Sequence, residues 1–160
     1  MEGPLKIAVD FDGTIVEHKY PEIGKEVMFA LKTLRALQEQ GHLLILWTYR
    51  SGRELDDAVE YCRRNGIVFY AVNASYPEEE FDEDYDSRKI DADIFIDDRN
   101  IGGLPPWGEI YQMITESGDM GMITMEQDLH RQVKQRKIVP NEAMNYSNNK
   151  KRMKQLLAMK

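Results

Sequence analysis

Two carboxylates that follow the first apolar run of the chain are the first candidates for chemistry. Leu5 to Asp10 reads as a buried strand and continues directly into the pentapeptide DFDGT at 10–14, which puts Asp10 and Asp12 at the end of that strand. In open parallel sheets this end borders the ligand-binding crevice. A bare Asp-Gly usually indicates only a turn, but a pattern this specific arises by chance in such a chain at roughly one in a thousand. We therefore interpret DFDGT as functional.

Polar residues also follow two later apolar runs. The run 43–47 is a predicted strand that delivers Thr48, and the run 92–96 is another that delivers Asp97 and Asp98. Taken alone, Thr48 is an ordinary strand-end hydroxyl and the two aspartates are a cap for a turn. Their common position at strand ends favours a shared site with the first motif.

Four further polar residues are weaker candidates. Arg88 and Lys89 precede the last of these strands, and either one alone is an ordinary solvated cation. Arg50, two residues after Thr48, either contacts a substrate or forms a salt bridge with nearby acidic groups. His18 lies in the loop after the first motif, where a lone histidine more often faces solvent than takes part in chemistry.

The elements that must position these residues follow from the hydrophobic pattern. Short apolar runs alternate with stretches of helical period, which is typical of βαβ units around a parallel sheet, so we predict the α/β class. A further strand is predicted at 67–72, and helices at 27–40, at 51–65 with a capping box of Ser51 and Glu54, and at 107–117.

An acidic segment at 75–89 separates the third and fourth predicted strands. It holds seven carboxylates between Glu78 and Asp86, a density of like charge that resists ordering. We predict a loop there, either a solvated acidic surface or a rim that repels polyanions.

The order of these motifs resembles that of the haloacid dehalogenase superfamily, whose members are mostly Mg²⁺-dependent phosphohydrolases on a Rossmann-like, three-layer sheet. IAVDFDGTIV looks like the superfamily's first motif, Thr48 stands at the place of the second, and Arg88 or Lys89, with Lys89 preferred, at the place of the third. Asp97 and Asp98 stand at the place of the acidic fourth motif. The resemblance covers about residues 5–117 and implies a member without a cap domain, because neither usual insertion point has room for one.

The resemblance implies a role for each residue. Asp10 is the nucleophile that forms an aspartyl-phosphate, and Asp12 is the general acid and base. Mg²⁺ is bound by Asp10 and Asp97, by the backbone carbonyl of Asp12, and directly or through water by Asp98. Thr48 and Lys89 hold the phosphoryl group. The expected substrate is a small phosphorylated metabolite; a phosphoprotein phosphatase and a signalling module phosphorylated on aspartate are the alternatives.

Charge divides the chain near Gly118. Residues 1–118 hold 12 basic and 24 acidic side chains, whereas residues 119–160 hold 9 and 4, and seven of the nine methionines lie from Met113 onward. We predict a phosphohydrolase domain at 1–118 and a basic, Met-rich extension at 119–160. The extension is either a helical segment that contributes to a homo-oligomer or shields the site, or a frayed tail.

Composition excludes several classes of protein. The net charge of −7 disfavours nonspecific binding to nucleic acid or to an anionic membrane surface. No apolar run approaches the 18 or so residues that a membrane-spanning helix needs. A single cysteine, Cys62, and the lack of a signal-peptide pattern favour a soluble protein of the reducing cytoplasm.

Overall fold

The computed structural model describes residues 3–116, 125–147 and 150–158. The chain divides into two compact units, Met1–Glu116 and Ser117–Lys160, next to the residue where charge and composition change. The N-terminal unit contains, in chain order, β1 (Lys6–Val9), α1 (Ala30–Glu39), β2 (Leu43–Leu46), α2 (Gly52–Arg64), β3 (Ala71–Val72), β4 (Ile94–Ile96) and α3 (Trp107–Glu116).

The four strands form one parallel sheet in the order β3-β2-β1-β4. Side chains on both of its faces are buried: Ile7 and Val9 lie on one face of β1, and Ala8 packs with Ile45 and Ala71 on the other. Burial on both faces explains why the strands read as continuous apolar runs. The predicted Rossmann-like, three-layer α/β fold is confirmed.

The third strand is shorter than the prediction of 67–72. Ile67 instead donates its backbone N–H to Cys62 O at 3.0 Å, which closes the end of α2, and Val68 donates to the Gln38 side chain at 2.8 Å. Tyr70 is the first residue of this run that donates to β2, at Leu44 O. The apolar run therefore divides between a helix cap and a two-residue strand.

The predicted helices form, but α1 begins at Ala30 and not at position 27, because Phe29 has a φ of 68°, and one cap also differs. The helix α2 begins after Ser51, as its capping box predicts, but the Ser51 side chain makes no capping hydrogen bond. The first turn of α1 is capped from outside, because the Glu26 carboxylate accepts the N–H of Leu31 at 3.1 Å. Position 117, the predicted last residue of α3, lies outside the described residues.

Two segments connect the sheet to its surroundings at the carboxyl ends of β1 and β3. Residues 10–29 form a small flap closed by isolated bridges from Val16 to Asp12 and to Glu26. Residues 73–93 contain neither helix nor strand, and the predicted acidic loop is exposed over most of its length. Neither segment builds a separate cap domain.

The C-terminal unit contains three helices: α4 (Met125–Lys134), α5 (Pro140–Tyr146) and α6 (Lys150–Ala158). Each contacts the other two, and Leu129, Ala143, Met153 and Leu156 form their buried core. The described part of the predicted extension is thus helical with a core of its own. Among the described residues of the whole chain, no helix is long and apolar enough to cross a membrane.

Candidate active site

Three carboxylates meet where β1 and β4 end side by side. Asp10 follows β1, and its backbone N–H donates to Ile96 O of β4 at 2.9 Å, so the two strand ends are held in register. One carboxylate oxygen from each of Asp10, Asp97 and Asp98 lies within 4.8 Å of the others. The structure thus brings together three of the four residues predicted to hold a metal.

Thr14 and Gly13 fix the geometry of this acidic cluster. The buried Thr14 hydroxyl donates to Asp10 Oδ2 at 2.9 Å and accepts the backbone N–H of Asp98 at 3.1 Å, so one side chain joins the first and last motifs. Gly13 has a φ of 85°, and a Cβ at this position would collide with the Asp98 carboxylate. Trp107 of α3 supports the turn by donating its indole N–H to Thr14 O at 3.0 Å.

The electrostatics of the cluster differ from those of a solvated turn. The pKa of Asp10 is raised to about 7, chiefly by burial and also by the neighbouring carboxylates of Asp97 and Asp98, although the hydrogen bond from Thr14 opposes this shift. Uncompensated negative charge at this point favours a bound cation or a bound proton.

Asp12, the fourth predicted metal residue, has its carboxylate engaged elsewhere. Its two oxygens accept from Nε and Nη2 of Arg50, both at 2.7 Å. This geometry leaves only the Asp12 backbone carbonyl for the metal role that the resemblance implies. It also keeps the Asp12 side chain at the cavity wall, beside Asp10.

Arg50 is a buried structural residue and not a free substrate-binding cation. Besides the pair to Asp12, its guanidinium donates to the carbonyl oxygens of Pro21, Glu22 and Glu54, which uses all five of its N–H groups. The side chain is 1% exposed. Of the two interpretations that the sequence allows, the geometry favours the salt bridge.

Thr48 lines the same cavity as Asp10. Its backbone N–H donates to the Asn73 side chain at 2.8 Å, and its hydroxyl accepts the N–H of Arg50 at 3.2 Å. The hydroxyl proton is therefore available for a phosphoryl oxygen, and the turn after β2 holds the side chain in place.

The predicted third-motif cation is not brought to this cavity. Lys89 is exposed, and its ammonium lies 5.9 Å from the centroid of the Phe95 ring. Among the described residues, those that line the cavity include Arg50 and Arg99 but neither Arg88 nor Lys89, so a phosphate-binding role for Lys89 stays a prediction. His18 does line the cavity, at its exposed side.

The sequence analysis missed several residues of this site. The cavity measures about 630 Å³, and its wall includes Tyr20, Trp47, Tyr49 and Arg99 as well as the predicted residues. Arg99 directly follows the acidic pair, and Tyr49 directly follows Thr48, so proximity to a motif is a signal that identifies both. Tyr20 comes from the flap, and nothing in its local pattern indicates a role.

The donor set suits a hard divalent cation. All three clustered side chains offer carboxylate oxygens, which are ligands for Mg²⁺, Ca²⁺ or Mn²⁺ and poor ligands for softer metals. A cation held there would also offset the burial and the repulsion from Asp97 and Asp98 that raise the pKa of Asp10. On both grounds the residues present fit the predicted ion.

Fold and side chains together define an α/β protein with an acidic, strand-end site. The chain belongs to the same family as a conserved protein of Bacteroides thetaiotaomicron whose solved structure matches it with 56% identity and a TM-score of 0.68. That match covers 73% of this chain and 94% of the other. Neither a protein-family model nor a curated protein matches the chain.

Proposed function

We propose that the protein is a Mg²⁺-dependent phosphomonoester hydrolase that acts through an aspartyl-phosphate on Asp10. One observation carries the proposal: three carboxylates within 4.8 Å of one another adjoin a cavity that Asp12 and Thr48 also line. A phosphate monoester dianion repels an attacking carboxylate, so a site for this reaction has to combine a nucleophile with a means of neutralising charge.

The first half of the reaction forms a bond from an Asp10 oxygen to phosphorus as the ester P–O bond breaks. Asp12, in its protonated form, gives its proton to the leaving alkoxide, which departs as an alcohol. The Thr48 hydroxyl donates a hydrogen bond to a phosphoryl oxygen and so orients the phosphoryl group for in-line attack.

The second half returns the enzyme to its starting state. Asp12 takes a proton from water, the water oxygen bonds to phosphorus, and the bond between Asp10 and phosphorus breaks. Inorganic phosphate leaves and the Asp10 carboxylate is regenerated. Because Arg50 donates to both oxygens of Asp12, it positions the ionised Asp12 as the base of this second half, and one of these two hydrogen bonds has to give way to the proton that Asp12 carries in the first half.

The proposed metal-binding residues are Asp10, Asp97 and Asp98, with the backbone carbonyl of Asp12. When bound, Mg²⁺ supplies positive charge that stabilises the transferring phosphoryl group. Thr14 acts on this group of residues indirectly, because its hydroxyl fixes the spacing between Asp10 and Asp98.

Hydrolysis of p-nitrophenyl phosphate tests the proposal. We expect turnover that requires Mg²⁺, stops with excess EDTA and falls at least about 10³-fold in Asp10→Asn, which removes the nucleophile. The matched control is Asp57→Asn, an exposed α2 residue 4.0 Å from Arg53, which should keep full activity.

Two results would contradict the proposal. Unchanged turnover in Asp10→Asn excludes Asp10 as the nucleophile. A long-lived phosphoprotein without turnover, detected as a label from acetyl phosphate that survives acid precipitation and is released by alkali or hydroxylamine, would instead favour the signalling alternative.

A further inference from the structure

The cavity has more room and more aromatic surface than a phosphoryl group needs. Its volume of about 630 Å³ lies in the range of sites for whole small molecules. Three aromatic side chains, Tyr20, Trp47 and Tyr49, line it together with the acidic residues. These rings are outside the machinery that the proposed hydrolysis uses.

Of the three rings, Tyr49 is the one whose position is least explained by packing within the folded chain. Its side chain is fully exposed, at 104%. It nevertheless stands between Thr48 and Arg50, whose backbones are fixed by hydrogen bonds from Thr48 N–H to Asn73 and from Arg50 N–H to Thr48 Oγ1. A large ring thus projects from a fixed stretch of backbone beside the cavity without packing against the protein, and such rings commonly mark binding surfaces.

Tyr20 is held against the cavity by the buried arginine. The Arg50 guanidinium carbon lies 5.2 Å from the centroid of the Tyr20 ring and 5.0 Å from that of Phe11. The same guanidinium binds the carbonyl oxygens of Pro21 and Glu22, the next two residues of the flap. The ring is therefore positioned before any ligand arrives, yet it stays 56% exposed.

We propose that the leaving group of the substrate carries a planar aromatic ring, which binds against Tyr49 and Tyr20 while the phosphoryl group lies at Asp10. This inference rests on the proposed hydrolase function and adds the class of substrate. Aromatic surfaces favour flat π-systems over sugars and aliphatic chains, and stacking of a base on such a ring typically raises affinity by roughly 5- to 150-fold.

A matched pair of substrates tests the inference: adenosine 5′-monophosphate and ribose 5-phosphate. Both release a primary ribose alkoxide from phosphorus, and they differ by the aromatic base. We expect kcat/KM for the nucleotide to exceed that for the sugar phosphate by roughly tenfold or more, the fold-change that stacking of this strength gives. Tyr49→Ala should remove most of this preference by raising KM for the nucleotide, with turnover of ribose 5-phosphate unchanged within about twofold.

Two variants serve as controls. Tyr49→Phe keeps the ring and should keep the preference, and Tyr85→Ala removes an exposed tyrosine that does not line the cavity and should change nothing. Equal kcat/KM for the two substrates, or an equal loss for both in Tyr49→Ala, would overturn the inference while p-nitrophenyl phosphate turnover leaves the hydrolase function standing. No hydrolysis of any of the three esters would overturn both.

Discussion

The two units of this chain differ in the size of the core that they bury and in the polar side chains that they bring together. The N-terminal unit buries both faces of a parallel sheet and leaves polar side chains at one edge, where β1, β2 and β4 end. The C-terminal unit packs three helices of at most ten residues around a four-residue core. Within the described residues, the one group of carboxylates close enough to share a metal lies in the N-terminal unit.

The difference shows what topology contributes to a site. Parallel strands deliver residues from distant parts of the sequence to one edge, so Asp10 and Asp98 meet although 87 residues separate them. The large buried core of the sheet can offset the repulsion among carboxylates held there. The three short helices that the structure describes in the C-terminal unit have neither a common edge nor a core of that size.

Replacing Arg50 should have the largest effect, because this residue donates hydrogen bonds both to Asp12 and to backbone carbonyls of the flap in the N-terminal unit. Arg50→Ala leaves the Asp12 carboxylate and the flap carbonyls without their donors, and breaking such a buried pair typically costs about 3–5 kcal/mol. We expect the free energy of unfolding in urea to fall by that amount and kcat to fall more than KM rises. Arg50→Lys should recover part of the stability.

Arg53→Ala is the control for that experiment. Arg53 is 90% exposed, and its 4.0 Å approach to Asp57 is a surface ion pair, so its loss should leave activity and stability close to those of the native chain. A loss of less than about 1 kcal/mol in Arg50→Ala would show that the buried pair does not hold the unit together.

Met153→Ala is the corresponding test for the C-terminal unit. Met153 is fully buried in the core of the C-terminal unit, and truncation of such a side chain costs about 2–5 kcal/mol. We expect the three helices to melt, with a loss of ellipticity at 222 nm and of any self-association, while kcat/KM stays within about twofold. The exposed Met28→Ala is the control, and a large loss of turnover in Met153→Ala would show that the units are coupled.

The sequence predicts the sheet and the acidic cluster well because each depends on local patterns. DFDGT, the apolar runs and the paired aspartates are continuous in sequence, and a parallel sheet necessarily gathers their ends. The sequence leaves Arg50 with two interpretations, a salt bridge to some acidic group or a contact with substrate, and it does not identify Asp12 as the partner, because side-chain direction decides both questions. The roles of Thr14 and Tyr20, and the division of residues 67–72 between helix cap and strand, depend on contacts between distant segments that no local pattern encodes.

Asp97→Asn should change the free energy of unfolding by a smaller amount. The sign of that change depends on whether a divalent metal ion is present. Without divalent ions the substitution relieves repulsion within the cluster, and the N–H of Arg99 keeps its acceptor at Oδ1, so the free energy of unfolding should rise by about 1 kcal/mol. Saturating Mg²⁺ at about 100 times its Kd should add about 2.7 kcal/mol to the native chain and much less to the variant.

Thermal unfolding of the native chain and of Asp97→Asn, once with EDTA and once with Mg²⁺, measures the change in stability under both conditions. Equal stabilisation of native chain and variant by Mg²⁺ would remove Asp97 from the metal site. Asp91→Asn, at an exposed carboxylate paired with Lys6, is the control and should not change the response to the ion.

The smallest effect is expected for the ion pairs of Glu60. Their distances are similar to that of the buried pair of Arg50 and Asp12, but they lie at the surface. Glu60 accepts from Arg63 at 2.6 and 2.8 Å and from Arg64 at 2.8 Å on the surface of α2, and these arginines lower the pKa of Glu60 to about 2. A lowered pKa means that the unfolded chain binds the proton more readily, so the contribution is present above about pH 4.5 and is lost as the pH falls towards 2. Glu60→Gln should therefore lower the urea midpoint slightly at pH 6 and at low salt, and the difference should disappear at pH 2 or in 1 M NaCl. A difference as large as that of Arg50→Ala would show that short distances, and not burial, decide which ion pairs stabilise this unit.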